Sequence, residues 1–390
     1  MDKMIYNMLP AIRTALSSGK PLITKFYPYA QEIPESLFQS GRFKIFKVLG
    51  EYEERIISEV IKSSQTGSVQ DFISIENSGL IALAENKLTV DWLIECVDNN
   101  KKGIKLTPKP AIEKAIRRVE QKIVIITGGA QGIGAGIVKE MFNEGANIII
   151  ADVDESNGNA LASGLNSLNK SNKAYFVKTD VSKPQSVEEL IQKTILEFGG
   201  LDIMISNAGV LKAGSLEEMP PETFKLITDI NYMGFFLCSK YASQIMKIQN
   251  KYNPDFFFDI IQINSKSGLK GSNKNFAYAG GKFGGIGLTE SFALELMPYN
   301  IKVNSICPGN YFDGPLWSDP QKGLFVQYLN TGKVPGAKSV DDVRKYYEKQ
   351  VPAGRGVRIK DIVRAVYYVI EQEYETGQAI PVTGGQVMLK

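Results

Sequence analysis

The sequence predicts an α/β protein: a doubly wound parallel sheet covered by helices on both faces, preceded by a small α+β appendage. Two observations carry this. After residue 121, short β-branched runs alternate with helical stretches, the rhythm of parallel strands joined by crossover helices. Before about residue 105 that rhythm is absent, and one strand–turn–strand unit sits among amphipathic helices. A stretch with two prolines and a run of charges joins the two parts. The division is residues 1–105 for the appendage, 106–120 for the linker and 121–390 for the sheet domain.

The elements follow in order. EYEERIISEVIKS is partly helical. DFISIENSGLIALAENKLTVDWLIECVDN reads as strand, Asn-Ser-Gly turn, strand and then a helix that puts Val90, Leu93, Ile94 and Val97 on one face. GIKLTPKPAIEKAIRRVEQ is linker, closing with a short helix. KIVIIT (122–127) is the first strand of the large sheet, followed by a helix over 132–143. NIIIAD (147–152), AYFVKTD ending near 179, LDIMIS (201–206), DIIQINS (259–265), VNSIC (303–307) and AIPVTG supply six more strands.

Composition narrows the function. The chain has 390 residues, 43% of them hydrophobic and 22% charged, enough for a sizeable core. A net charge of +3 gives no case for nucleic acid or a membrane surface as partner. No apolar stretch reads as a signal peptide or a membrane span, so a cytoplasmic protein is expected. Cys96, Cys238 and Cys307 are too scattered for a disulfide framework or a zinc cluster, and no metal is expected. There is no histidine. Serine–histidine–acid hydrolysis and histidine-ligated zinc are thereby excluded, and any proton carrier must be Tyr, Lys, Cys, Asp or Glu.

The first strand of the large sheet runs into TGGAQGIG, Thr127 to Gly134, and then into a helix. Gly128 suits the tight turn, Gly132 lets backbone approach a pyrophosphate, and Gly134 lets helix pack on strand. The helix start, with Gln131 and Ile133 in the loop, offers free N–H groups to phosphate. The second strand ends in Asp152, where a carboxylate would accept hydrogen bonds from an adenosine ribose diol. A 2′-phosphate there would meet like charge, a repulsion of about a few kcal/mol at an effective dielectric near 20. NAD is therefore expected over NADP, on a Rossmann-type sheet.

The glycine spacing resembles the short-chain dehydrogenase/reductase family, and further motifs fall in that family's order. SNAG, with Asn207, Ala208 and Gly209, resembles its element beside the adenine side of the cofactor. Asp180 and Val181 resemble its adenine-contacting pair. Asn231, Ser265, Tyr278 and Lys282 resemble its catalytic tetrad, and Pro308 with Gly309 its nicotinamide-side element. The resemblance spans about 120–390. It implies that Ser265 holds the substrate oxygen, that Lys282 reaches the nicotinamide ribose, and that Asn231 holds a water linking Lys282 to solvent. It also implies a homo-oligomer, dimer or tetramer.

Spacing alone shows that Tyr278 and Lys282, four apart on a helix, share a face. A phenol with a pKa near 10 needs about 4 kcal/mol to drop about 3 units. One ammonium at about 4 Å supplies roughly that at an effective dielectric near 20. Gly280 and Gly281 between them point to a neighbouring helix or subunit close to that backbone, or to a locally loose helix.

Finer stretches, QINSKSG, GNYFDGPLW and TGQAIPVTGGQVM among them, resemble the family's polyol-phosphate dehydrogenases. They imply interconversion of a polyol phosphate and a ketose phosphate, namely sorbitol 6-phosphate and fructose 6-phosphate. Lys212 and Lys266 are the candidate cations for the phosphate, with Lys270, Lys274, Arg355 and Arg358 behind them. Another polyol, lactaldehyde or a silent NAD-binding scaffold are the alternatives. The stretch IENSGLIALAEN resembles the end of a class II aldolase module. Ser78 stands where such a module has a metal-binding histidine, so no aldol chemistry is expected.

Overall fold

The computed structural model describes residues 3–17, 21–28, 43–48, 52–64, 70–76, 78–102, 104–111, 117–168, 170–271, 273–321, 323–330, 332 and 334–388. The N-terminal part comprises α1 (Lys3–Leu16), β1 (Ile23–Pro28), β2 (Ile45–Val48), α2 (Glu53–Ser64), β3 (Phe72–Ile75), β4 (Gly79–Ala84) and α3 (Lys87–Lys101). The four strands form one sheet in the order β1-β4-β3-β2. The strand–turn–strand–helix unit read from the sequence is β3, β4 and α3, the last capped by Asn86, whose side chain accepts the Thr89 N–H. Residues 104–111 are irregular and 118–121 form a turn; the rest of the stretch expected to close the linker as a short helix, 112–116, lies outside the described residues.

The large sheet is built from β5 (Ile123–Thr127), β6 (Asn147–Asp152), β7 (Ala174–Lys178), β8 (Ile203–Ser206), β9 (Phe258–Ile263), β10 (Ile301–Pro308) and β11 (Ala379–Val382). Its seven strands run in the order β11-β10-β9-β8-β5-β6-β7, and every pair is parallel. The chain steps outward from β5 to β7 and then returns to β8 on the other side of β5. That reversal opens a crevice at the carboxyl ends of β5 and β8, the general ligand position in such sheets.

Alternation along the strands sorts the two faces. Val124, Ile126, Ile148 and Ile150 pack with α4 (Gly132–Asn143), α5 (Glu155–Asn166) and α13 (Ile359–Glu371). Ile123, Ile125, Ile149 and Ala151 pack with α6 (Pro184–Phe198) and α8 (Gly234–Tyr252). Between them in sequence lie α7 (Pro221–Thr228), before α8, and α9 (Phe276–Leu296), after it. Three short helices, α10 (Pro315–Ser318), α11 (Leu324–Asn330) and α12 (Val340–Lys349), close over a small core of their own made by Phe312, Trp317, Phe325 and Val343. No helix among the described residues is long and apolar enough to cross a membrane.

The N-terminal part shares the second face's core. Ile5, Leu9, Ile12, Ile23 and Leu83 belong to the same buried cluster as Leu190, Ile195 and Met246. A buried ion pair crosses the join: Arg13 Nη1 and Nη2 donate to the two Asp202 oxygens at 2.8 and 2.7 Å, and Arg13 Nε donates to the Leu22 carbonyl at 2.6 Å. Asp202 also accepts the Ile123 N–H at 2.8 Å, which ties the pair to the first strand of the large sheet. Nearby, Lys87, fully buried, donates to Glu197 of α6 at 2.8 Å.

The glycines of α9 have a partly different explanation from the one their sequence invites. A Cβ at Gly284 would stand 2.7 Å from the Tyr232 ring, and one at Gly285 would stand 2.5 Å from the Gln262 amide. At Gly281 the contact with Asn231 Cβ is an ordinary 3.4 Å, and Gly280 faces open space. Within this chain the close approaches of α9 fall at Gly284 and Gly285, where it presses on the π turn and on β9.

Candidate active site

At the carboxyl end of β5 the chain turns through Gly128 and Gly132, both with positive φ (61° and 57°), a region that favours glycine. A Cβ at Gly134 would stand 2.0 Å from the Gly128 carbonyl oxygen, so no larger residue fits there. The nearest atom to a Cβ at Gly132 is 3.8 Å away, and the space in front of this backbone is clear. Gln131 caps α4 without a side-chain hydrogen bond, which leaves the first N–H groups of the helix to a ligand. This donor set, with its clear approach, fits the pyrophosphate of a dinucleotide.

The neighbouring strands brace the loop. Thr127 Oγ1 accepts the N–H groups of Asn207 and Ala208 at 3.0 and 3.1 Å. Asn207 Nδ2 donates back to the carbonyls of Thr127 and Gly128 at 2.9 and 3.0 Å. Asp152 ends β6 buried, one oxygen accepting the Ala130 N–H at 3.0 Å and the other the Asp154 N–H at 3.1 Å. Each oxygen keeps a lone pair for a ribose hydroxyl. Asp180 accepts from Ser182 and pairs with Lys183 at 3.2 Å. Burial opposes its charge, but those contacts hold its carboxyl below the usual range. Val181 is buried against the start of α8, where a Cβ at Gly234 would stand 2.9 Å from it.

The four candidate catalytic residues converge from three elements. Ser265 follows β9 and opens a tight turn over Lys266–Gly268, its Oγ accepting the Ser267 N–H at 3.1 Å. With that lone pair used, its hydroxyl proton is free for the Tyr278 phenol oxygen or a substrate oxygen. Lys282 is buried, its Nζ donating to the Ile263 carbonyl at 2.9 Å and lying 5.6 Å from the centroid of the Tyr278 ring. Burial pulls its ammonium down to about 8. Asn231 sits in a π-helical turn, Asp229–Met233, between α7 and α8. Its amide donates to the carbonyls of Val210 and Ile227 at 2.8 and 3.0 Å, and its oxygen accepts the Val210 N–H at 3.2 Å. These bonds lock the π turn and leave the side chain one oxygen lone pair for a water. Gly209 of the SNAG element makes room for it, since a Cβ there would stand 2.6 Å from the Asn231 oxygen.

The Tyr278 phenol differs from its expectation. Burial raises its pKa, opposed by the Ser265 hydrogen bond and reinforced by Cys307. The expected lowering by the ammonium is absent because Lys282 Nζ points to the Ile263 carbonyl and lies beneath the ring rather than at the hydroxyl.

Sequence reasoning passed over Asn264. It is buried beside Ser265, its oxygen accepts the Ser265 N–H at 2.7 Å, and its amide donates to the Lys282 carbonyl at 2.9 Å. One side chain thus fixes the serine's backbone to the helix that carries tyrosine and lysine. The only sequence signal is a buried polar residue at the end of an apolar strand. Pro308 ends β10, and Gly309 is held by its N–H to the Val382 carbonyl at 2.9 Å.

The candidate phosphate cations separate. Lys266 is half-buried next to Ser265, and Lys212 is exposed on the loop after SNAG. Arg355 is taken by Asp361, Nη1 to Oδ2 at 2.6 Å, and Arg358 caps α13.

Comparison with known proteins matches this geometry. The sequence model of the family described as short chain dehydrogenase matches residues 122–317. The chain is 34% identical over 272 residues to sorbitol-6-phosphate 2-dehydrogenase of Escherichia coli K12, covering 68% of this chain and 99% of the relative. It is 30% identical over 275 residues to trans-4-hydroxycyclohexanecarboxylate dehydrogenase of Sinomonas cyclohexanicum, covering 69% of this chain and 94% of the relative. The crystal structure of sorbitol-6-phosphate 2-dehydrogenase from Erwinia amylovora superposes with a TM-score of 0.62 at 36% identity, over 68% of this chain and all of that one (100%). With the glycine loop, the SNAG brace and the serine–tyrosine–lysine cluster at one sheet crevice, these matches show that the chain belongs to the short-chain dehydrogenase/reductase family, oxidoreductases that use NAD or NADP.

Proposed function

We propose that the protein interconverts a polyol phosphate and a ketose phosphate with NAD, sorbitol 6-phosphate and fructose 6-phosphate being the pair. The observation that carries the chemistry is the meeting of Ser265, Tyr278 and Lys282 beside the glycine loop. The similarity to two sorbitol-6-phosphate 2-dehydrogenases and the half-buried ammonium of Lys266 beside Ser265 support the substrate. Lys212 is the second candidate cation, at the cleft mouth.

The cofactor would be held by the N–H groups at Gly132–Gly134, by Asp152 at the ribose, and by Asp180, Val181, Asn207, Ala208 and Gly209 along the adenine side. A nicotinamide bound there accepts or supplies the carbon-bound hydrogen. Ser265 donates its hydroxyl proton to the substrate oxygen and fixes it. Tyr278 takes the alcohol proton in oxidation and returns it in reduction. Lys282, cationic below about pH 8, holds the nicotinamide ribose, and solvent protons pass by way of Asn231. The family resemblance also supports a homo-oligomer, and sedimentation showing a monomer at working concentration would remove that part.

Asp152 gives the cofactor preference a test. A 2′-phosphate would confront a buried carboxylate at a cost of about 2–3 kcal/mol, so kcat/KM should favour NAD over NADP roughly 50-fold or more. Asp152→Ala should narrow the gap. Equal efficiency with the two cofactors in wild type would refute the assignment.

A further inference from the structure

The turn after Ser265 carries two lysines, Lys266 and Lys270. The Lys266 carbonyl accepts the N–H groups of Leu269 and Lys270, each at 3.0 Å. The first bond closes the short 3-10 turn Lys266–Gly268 and the second an α-type turn, so residues 266 and 270 are about one turn apart. Lys266 and Lys270 are therefore near enough for the charge of one to act on the other. Lys266 is also half-buried, and an uncompensated buried charge is costly. Burial, and then the charge of Lys270, hold its ammonium below the ordinary lysine value. Among the described residues no carboxylate is paired with either lysine.

The other basic residues at this end of the sheet are compensated or lie on a different segment. Arg355 is bound to Asp361, Lys274 lies near Glu218, whose carboxyl is lowered first by Ser215 and then by that lysine, and Lys212 is exposed on the separate loop after SNAG, where no second lysine is its neighbour in sequence. A strained pair of cations is relieved by an anion held between them, and a phosphate dianion matches two ammonium groups in charge and in acceptor number. A lysine stem is long enough to hold an ammonium several ångströms from the backbone of the turn that Ser265 opens. That suits a substrate whose reacting carbon is at one end and whose phosphate is at the other.

We infer that Lys266 and Lys270 form a two-cation clamp for the phosphate monoester of the substrate, with Lys270, rather than Lys212, as the second cation. The inference rests on the phosphorylated substrate proposed above. It makes this turn the element that sets the preference for phosphorylated over neutral polyols, while Ser265 at its start serves the reacting oxygen.

The test compares wild type, Lys266→Met, Lys270→Met and Lys212→Met by the ratio of kcat/KM for sorbitol 6-phosphate to that for sorbitol. The calorimetric Kd for sorbitol 6-phosphate is the second readout. Loss of one charge-assisted contact should lower the ratio roughly 10- to 150-fold at Lys266, and about 10-fold at the more exposed Lys270. Kd should weaken in parallel, and Lys212→Met should give a smaller loss than either. If wild type discriminates but Lys270→Met keeps the wild-type ratio and Kd, or Lys212→Met loses as much as Lys270→Met, the clamp is wrong and the proposed activity stands. If wild type itself uses sorbitol as well as its phosphate, the phosphorylated-substrate reading falls, and the clamp falls with it.

Discussion

Replacing Tyr278 with phenylalanine is expected to lower turnover by about 10²- to 10⁴-fold, the range for loss of a positioned proton carrier, while dinucleotide affinity stays near wild type. The ring remains and only the hydroxyl goes, so packing around α9 is kept. No neighbour can take over. The chain has no histidine. Burial pushes the Cys307 thiol up to about 12, and the Lys282 ammonium is committed to the Ile263 carbonyl. Ser265, proposed to hold the substrate oxygen, is far too weak an acid or base alone at neutral pH. Steady-state kcat with a titration of NADH binding checks this. A variant that keeps most of its turnover would take Tyr278 out of the chemistry and would favour a silent dinucleotide-binding scaffold.

Arg13→Met is expected to destabilise the whole protein by about 3–5 kcal/mol, the cost of breaking a buried ion pair from one side. Asp202 would be left buried with the Ile123 N–H and no guanidinium. Lys122 is close, but its own ammonium is pulled down by burial and cannot fully substitute. Such a loss is a large share of the roughly 5–15 kcal/mol that keeps a domain folded. The pH dependence has a definite sign. Burial would raise the Asp202 carboxyl, but Arg13 more than offsets it and the pKa is depressed. The pair's contribution is therefore full above the ordinary carboxylate pKa of about 3.9 and is lost as pH falls below it. Urea denaturation of wild type and variant at neutral pH and near pH 3 measures both effects. A variant within about 1 kcal/mol of wild type, the typical effect of a single substitution, would mean that the N-terminal part docks too weakly to matter.

The large sheet was legible because each of its strands is a compact β-branched or apolar run bounded by turn residues. The N-terminal strands β1 and β2 were not. ITKFYP mixes polar residues with a closing proline and becomes a strand only by pairing antiparallel with β4, Ile23 opposite Ala84. Helix α1 carries Pro10 in its interior, which argues against a helix locally; burial of Ile5, Leu9 and Ile12 in the shared core overrides it. Helices α10 to α12 are too short for periodicity to show, and Phe312, Trp317 and Phe325 meet only once the chain has folded. In the site, Ser265, Tyr278 and Lys282 could be read from spacing and resemblance. Asn264 could not, because its work depends on β9 and α9 lying side by side. The direction of the Tyr278 shift was misjudged for a related reason: a four-residue spacing gives a shared face but not where the lysine nitrogen points.

NAD reduction by the purified protein, followed as NADH absorbance with sorbitol 6-phosphate, other polyol phosphates, free polyols and lactaldehyde, tests the proposed activity most directly. The expected result is a clear preference for sorbitol 6-phosphate, with NADH oxidised again when fructose 6-phosphate is supplied. Turnover of an unphosphorylated polyol or of lactaldehyde in preference to every phosphate ester, or no reduction of NAD by any of them, would contradict it.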